Sequence, residues 1–276
     1  VLKDWFSDHE FYHKVGFLIA SGAKSISEIY RASRDKKKSE FRQILDDYIR
    51  ESIRIEDNYA ELSYEENGDA AKISRLLLLF NIESVRRIEQ QSQWFPFDRF
   101  KANDSWTLEH IHAQQSEGMN KQEEWRMWLS DHVQSLRAIE GKQTELAMKI
   151  EELLEKKDLK KHEFEKVQKQ VIERLSVQGN GEYLHSIGNL ALLNSSDNAA
   201  LSNSTFDVKR NKIIEMDQKG LYIPFCTKMV FLKYYTPSEG NQVHFWGQQD
   251  RIAYIRAINA KLEGYLEEPI SVEGGE

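Results

Sequence analysis

Nearly eighty residues separate His110 from Asn189, and each lies in a short stretch that reads as a strand: WTLEHIHA from Trp106 and IGNLALL from Ile187. Strands that far apart can pair only if the sequence between them folds to one side, and its pattern is helical. Trp125, Trp128, Leu129, Val133, Leu136 and Ile139 recur at three- and four-residue steps. Leu146, Ile150, Leu153 and Leu154 continue them after Gly141, and Phe164, Val167, Val171 and Leu175 form a second series. A helical hairpin or pair is therefore expected over about 117–180, with the charged run 155–163 as a solvated helix junction.

The second stretch leads into Asn194-Ser195-Ser196-Asp197-Asn198, turn and N-cap chemistry before a helix starting near Ala199 or, after a break, near Ser204. Phe206, Ile213 and Ile214 would face the core while Lys209 or Arg210 projects toward a phosphate. Two strands and a helix would then close around one site. Its chemistry is readable from residue types. Glu109 beside His110 joins a carboxylate to an imidazole, the one side chain whose ordinary pKa suits a base near neutral pH. Hydrolysing a phosphodiester also needs a hard cation, which prefers oxygen ligands, and Glu109 with the carbonyl of Asn198 supplies two. In an extended chain Glu109 and His110 point to opposite faces, so a turn or bulge is expected between them. Asn189, after Gly188, is the candidate for fixing the imidazole's tautomer and aim.

These residues resemble a known family. EHIHAQ, GNLALL, the spaced Asn198 and SNSTFDVKR look like the C-terminal, HNH-like nuclease domain of GmrSD-type, modification-dependent restriction endonucleases. LLLLFNIE at 76–83, WFPFDRF at 94–100, IPFCTKMVFLKYY at 223–235 and FWGQQDRIAYI at 245–255 extend the likeness over most of the chain. The resemblance implies a mainly α fold with a small ββα-metal core, and a magnesium- or manganese-dependent DNA endonuclease that nicks in restriction or anti-phage defence. Residue by residue it implies His110 as base, Glu109 and Asn198 at the cation, Asn189 as the central asparagine, and Lys209 and Arg210 as the terminal basic pair. Two departures stand out. Ala113 replaces the usual proline, and the helical stretch at 117–180 becomes a long insertion in a domain of residues 101–276. In the family this half follows a regulatory N-terminal, nucleotide-dependent domain, which makes the chain a C-terminal fragment acting on foreign or modified DNA.

Residues 1–100 read as a helical region without a catalytic constellation: Phe41, Ile44, Leu45, Tyr48, Ile49 and Ile53 give one amphipathic stretch, Ile73 to Ile82 a buried one. The longest apolar runs are far too short for a bilayer, so no membrane association and a cytoplasmic setting are expected. A single cysteine, Cys226, excludes an internal disulfide and paired zinc knuckles. The net charge of −7 weighs against nonspecific wrapping of DNA, although Lys209, Arg210, Lys212, Lys219, Lys228 and Lys233 outnumber Asp207, Glu215 and Asp217 over 199–235. His112 and His185 are supporting candidates, with packing and a turn cap as their plainer roles. Asp131-His132 reads as surface, and Phe245-Trp246 as core rather than a platform for a flipped base. Two rivals remain open: a structural zinc site of Glu109, His110, His112 and His185, and a non-catalytic DNA- or partner-binding module.

Overall fold

The protein's structure, a computed structural model, describes residues 1–55, 58–88, 93–102, 106–112, 119–140, 144–176, 183–201, 204–237 and 243–272. Among them are thirteen α-helices and one antiparallel pair of strands. The first hundred residues hold α1 (Leu2–Ser7), α2 (His9–Ala20), α3 (Ile26–Ser33), α4 (Lys38–Ile53), α5 (Asp69–Arg86) and α6 (Phe97–Ala102). Capping explains several boundaries. The Asp8 carboxylate accepts from the amides of Glu10 and Phe11 at the start of α2, and Ser25 with Glu28 forms a reciprocal capping box on α3. Helix α5 begins after Gly68, whose φ of 91° is in the left-handed region that glycine adopts without strain. Leu76, Leu77, Leu78, Leu79 and Phe80 are all buried, so this part of α5 is covered on every side, while its first turn is open to solvent at Ala71 and Lys72.

Strands β1 (Trp106–His110) and β2 (Leu190–Asn194) pair with Glu109 opposite Ala191 and His110 opposite Leu190. Every residue of β2 is buried. Its outer edge is covered by side chains: Thr227 donates to the Leu192 carbonyl at 2.6 Å and Tyr254 to that of Leu190 at 3.2 Å. Residues 187–189 form a 3₁₀ turn, so β2 starts three residues later than the apolar run suggests. A Cβ on Gly188 would approach Ile255 Cδ1 to 3.2 Å, and this close packing accompanies the turn.

Between the strands lie α7 (Gln122–Glu140), α8 (Glu145–Glu155) and α9 (Lys161–Leu175), three helices where a hairpin or pair is expected. Gly141, the expected break between the first two, and Ala113 lie outside the described residues. The charged run does span the junction from α8 to α9, with exposed ion pairs Lys156–Glu163 and Lys160–Asp158. These helices have their own apolar cluster, in which Trp125 stacks on Phe164 with ring centres 5.5 Å apart. Phe245 packs against this cluster, and polar contacts also join it to the rest. His132 accepts from the Thr205 amide at 3.3 Å, Ser135 donates to Asp207, and Lys212 pairs with Asp131 at 2.6 Å. His132 is therefore not a surface residue. It is fully buried against Trp128, because backbone partners meet both ring nitrogens.

After β2 the chain enters α10 (Ser195–Leu201) directly, without the turn expected over 194–198, because Asn194 Oδ1 accepts from the Ser196 amide as a cap. Then follow α11 (Phe206–Gln218), α12 (Phe225–Phe231) and α13 (Gln248–Leu262). The main core draws Phe17 and Phe80 from the first hundred residues together with Leu193, Phe206, Val230 and Tyr254 from the rest. Trp246 packs there, 5.7 Å from the Phe206 ring centre, and Cys226 is buried. Among the described residues no helix is long and apolar enough to cross a membrane.

Candidate active site

Strand β1 stays in register through His110, and the chain bends only at Ile111 and His112. No turn or bulge separates Glu109 from His110. Their side chains accordingly leave the strand on opposite faces and enter different surroundings.

On one face the Glu109 carboxylate, 5 % exposed, receives the ammonium of Lys209 from α11. Lys209 is itself 1 % exposed and also donates to the His110 carbonyl at 2.6 Å. It is locked onto the strand rather than projecting toward solvent, because helical spacing puts it on the face of α11 that carries Phe206 and Ile213. Burial pushes the Glu109 carboxyl above its ordinary range, and the Lys209 charge opposes that rise. Asn198, half-buried on α10, lies toward this same face. Its Nδ2 donates to Thr107 Oγ1 at 2.9 Å and to the Leu108 carbonyl at 3.2 Å, and Thr107 precedes Glu109 by two residues. Among the described residues no hydrogen bond engages Asn198 Oδ1. Arg210 is half-buried, with its Nε lacking a hydrogen-bond partner among the described residues.

The imidazole of His110 enters a second cluster. Its Nε2 is 3.2 Å from His185 Nδ1, and His185 Nε2 is 3.1 Å from Glu65 Oε1. The Tyr64 ring meets His110 edge-on, with centres 5.0 Å apart. Burial, followed by the charges of Lys209 and His185, lowers the His110 pKa to about 4, so the half-buried ring is neutral at pH 7. Tyr64 and Glu65 were not legible as site residues, since they sit in a polar run between two helices with no spacing that ties them to His110.

Asn189 acts on backbone rather than on the imidazole. Its Oδ1 accepts from the His112 amide at 3.0 Å, while its Nδ2 donates to the carbonyls of His112 and Leu184 at 2.9 and 2.8 Å. The Ile111 amide adds a bond to the Asn189 carbonyl at 2.8 Å. The bend that follows His110 is thus clamped to the turn that precedes β2. His112 is buried with Nε2 3.0 Å from Ser176 Oγ, and burial lowers its pKa to about 3. Glu109 on Lys209, His112 on Ser176 and His110 on His185 do not converge, which speaks against a closed zinc site made from them.

The remaining donor set can be tested against a magnesium-like ion. Such an ion accepts one or two protein oxygens and fills its shell with water. By donor type Glu109 and Asn198 fit, a carboxylate and an amide whose Nδ2 bonds Thr107, two residues before Glu109. Lys209 shares the same carboxylate, so a cation there must share it too.

Comparison with protein-family models, with curated proteins and with solved structures returned no match to this chain.

Proposed function

We propose that the chain is a divalent-cation-dependent DNA endonuclease of the HNH type, nicking one strand at a time and serving in defence against foreign or modified DNA. The observation that carries this reading is the Asn189 clamp. Two side-chain hydrogen bonds hold His112 in the bend after His110 and a third ties Asn189 to Leu184, and this supports reading the neutral imidazole at the end of β1 as a fixed one. A neutral imidazole in that position takes the proton from the attacking water. Glu109 and Asn198 would hold the cation, which supplies Lewis-acid charge at the phosphate. Lys209 keeps the Glu109 carboxylate and the His110 carbonyl in a fixed relation, and Arg210 stands one residue on for phosphate contact.

A second reading has one observation in its favour. Lys209 already neutralises the Glu109 carboxylate, as expected of a recognition module that keeps the fold without a cation. Supercoiled plasmid separates the two. With magnesium or manganese the purified chain should yield nicked circles before any linear product, and EDTA should stop it. A folded chain that binds the plasmid yet leaves it intact with either metal would favour the recognition module. Linear product without a nicked intermediate would argue for a paired site.

A further inference from the structure

We propose that Glu65 and His185 are positioning residues that hold His110 as its Nε2–H tautomer and leave Nδ1 as the nitrogen that takes the proton from water. This rests on the endonuclease reading above, but the tautomer itself can be measured without any activity.

The argument is one of donors and acceptors. An ionised carboxylate only accepts, so the 3.1 Å contact between Glu65 Oε1 and His185 requires His185 Nε2 to carry a proton. A neutral imidazole carries one N–H. At a pH where both rings are neutral, His185 Nδ1 is therefore bare, and the 3.2 Å contact to His110 can be made only if His110 Nε2 donates. The lone pair of His110 then resides on Nδ1, and among the described residues no hydrogen bond occupies that atom. Exposed carboxylates seldom fix anything by themselves. Here the backbone does the placing: the Tyr64 amide donates to the His185 carbonyl at 3.0 Å, and Ser63 pairs with Ser186 as an isolated antiparallel bridge. Tyr64 borders both rings, edge-on to His110 and nearly parallel to His185 at 6.4 Å between centres. The segment between α4 and α5 therefore reaches across to the end of β1. Asn189 sets the backbone after His110, and Glu65 with His185 sets the ring.

The test uses the full chain at pH 8. Long-range proton–nitrogen correlation spectra report which nitrogen of His110 bears the proton, with His110→Gln identifying the signals. Single-turnover nicking is measured in parallel. The wild type should show Nε2–H. Glu65→Ala, at an exposed position, should fold normally, mix the two tautomers and slow turnover by about threefold to tenfold, with the cation concentration for half-maximal rate unchanged. Glu65→Gln retains an accepting oxygen and should restore most of the rate, which a purely electrostatic role for Glu65 would not allow. Wild-type His110 found as Nδ1–H, or Glu65→Ala with tautomer and turnover both unchanged, would overturn the proposal. If the wild type holds Nε2–H and loses it in Glu65→Ala but nicks no DNA, the positioning stands and the endonuclease reading fails.

Discussion

Lys209 is where the energetics of the site concentrate. A buried ammonium and a buried carboxylate are each costly to desolvate, and their contact offsets that cost only while both partners are present. Lys209→Met should therefore lower stability by about 3–5 kcal/mol, because it strands the Glu109 charge. Combining it with Glu109→Gln should recover most of the loss. Urea unfolding of the two single variants and the double variant measures this coupling, and simple additivity would mean that the pair is not coupled. Asn189→Ala should also destabilise, by about 1–3 kcal/mol for each buried backbone group left unpaired. Its urea midpoint checks that, and an unchanged midpoint would mean that the clamp is not formed. At this scale the sequence was partly legible. Residue types singled out Glu109, His110, Asn189 and Asn198, which the structure sets at β1, at the turn before β2 and on α10, but not the directions their side chains take. Lys209 follows Phe206 by three residues and precedes Ile213 by four, a spacing that puts all three on one helical face, so its burial was readable and its placement toward a phosphate was not required. Glu65 could not have been found, since its partner His185 is 120 residues away and only the tertiary fold joins them.

Helices α7, α8 and α9 form a cluster of their own, and their junction with α11 is mostly polar. Phe164→Ala removes the ring that stacks on Trp125 and touches Trp128, and a cut of that size costs about 3–5 kcal/mol where the site cannot collapse. Amide exchange should then quicken across α7–α9 while α5 and β2 keep their protection, because contiguous packed units open separately. Uniform loss of protection in all of these elements would show that the two clusters unfold as one. Periodicity revealed these helices well, since each has one apolar stripe. It merged α8 with its neighbours because chain breaks depend on local turns more than on stripes. The same limit applied at β2. An apolar run from Ile187 to Leu193 contains no sign that its first three residues coil into a turn, a choice that accompanies the packing of Ile255 and Arg251 against Gly188.

Across the whole molecule, one core joins the helices of the first hundred residues to the strand pair, and buried neutral histidines tie its stability to pH. Burial lowers the pKa of His13 to about 4 and that of His132 to about 3, against an ordinary value near 6.5. The unfolded chain therefore binds more protons than the folded one below that ordinary value. Their contribution to stability is complete above about pH 6.5 and is lost as pH falls toward 4 and then 3. Urea midpoints should drop steadily between pH 7 and pH 4.5, and a flat profile over that range would contradict neutral burial of the two rings. As an endonuclease the chain would give the two faces of β1 different jobs, proton transfer at His110 and cation binding at Glu109 and Asn198. The most direct measurement is a magnesium and manganese titration of nicking rate for the wild type, His110→Ala and Asn198→Ala, each shown to be folded. Asn198→Ala should regain rate at high cation concentration, while His110→Ala should stay about a hundredfold to ten-thousandfold slow at every concentration. Parallel curves for the two variants, or wild-type nicking by His110→Ala, would contradict it.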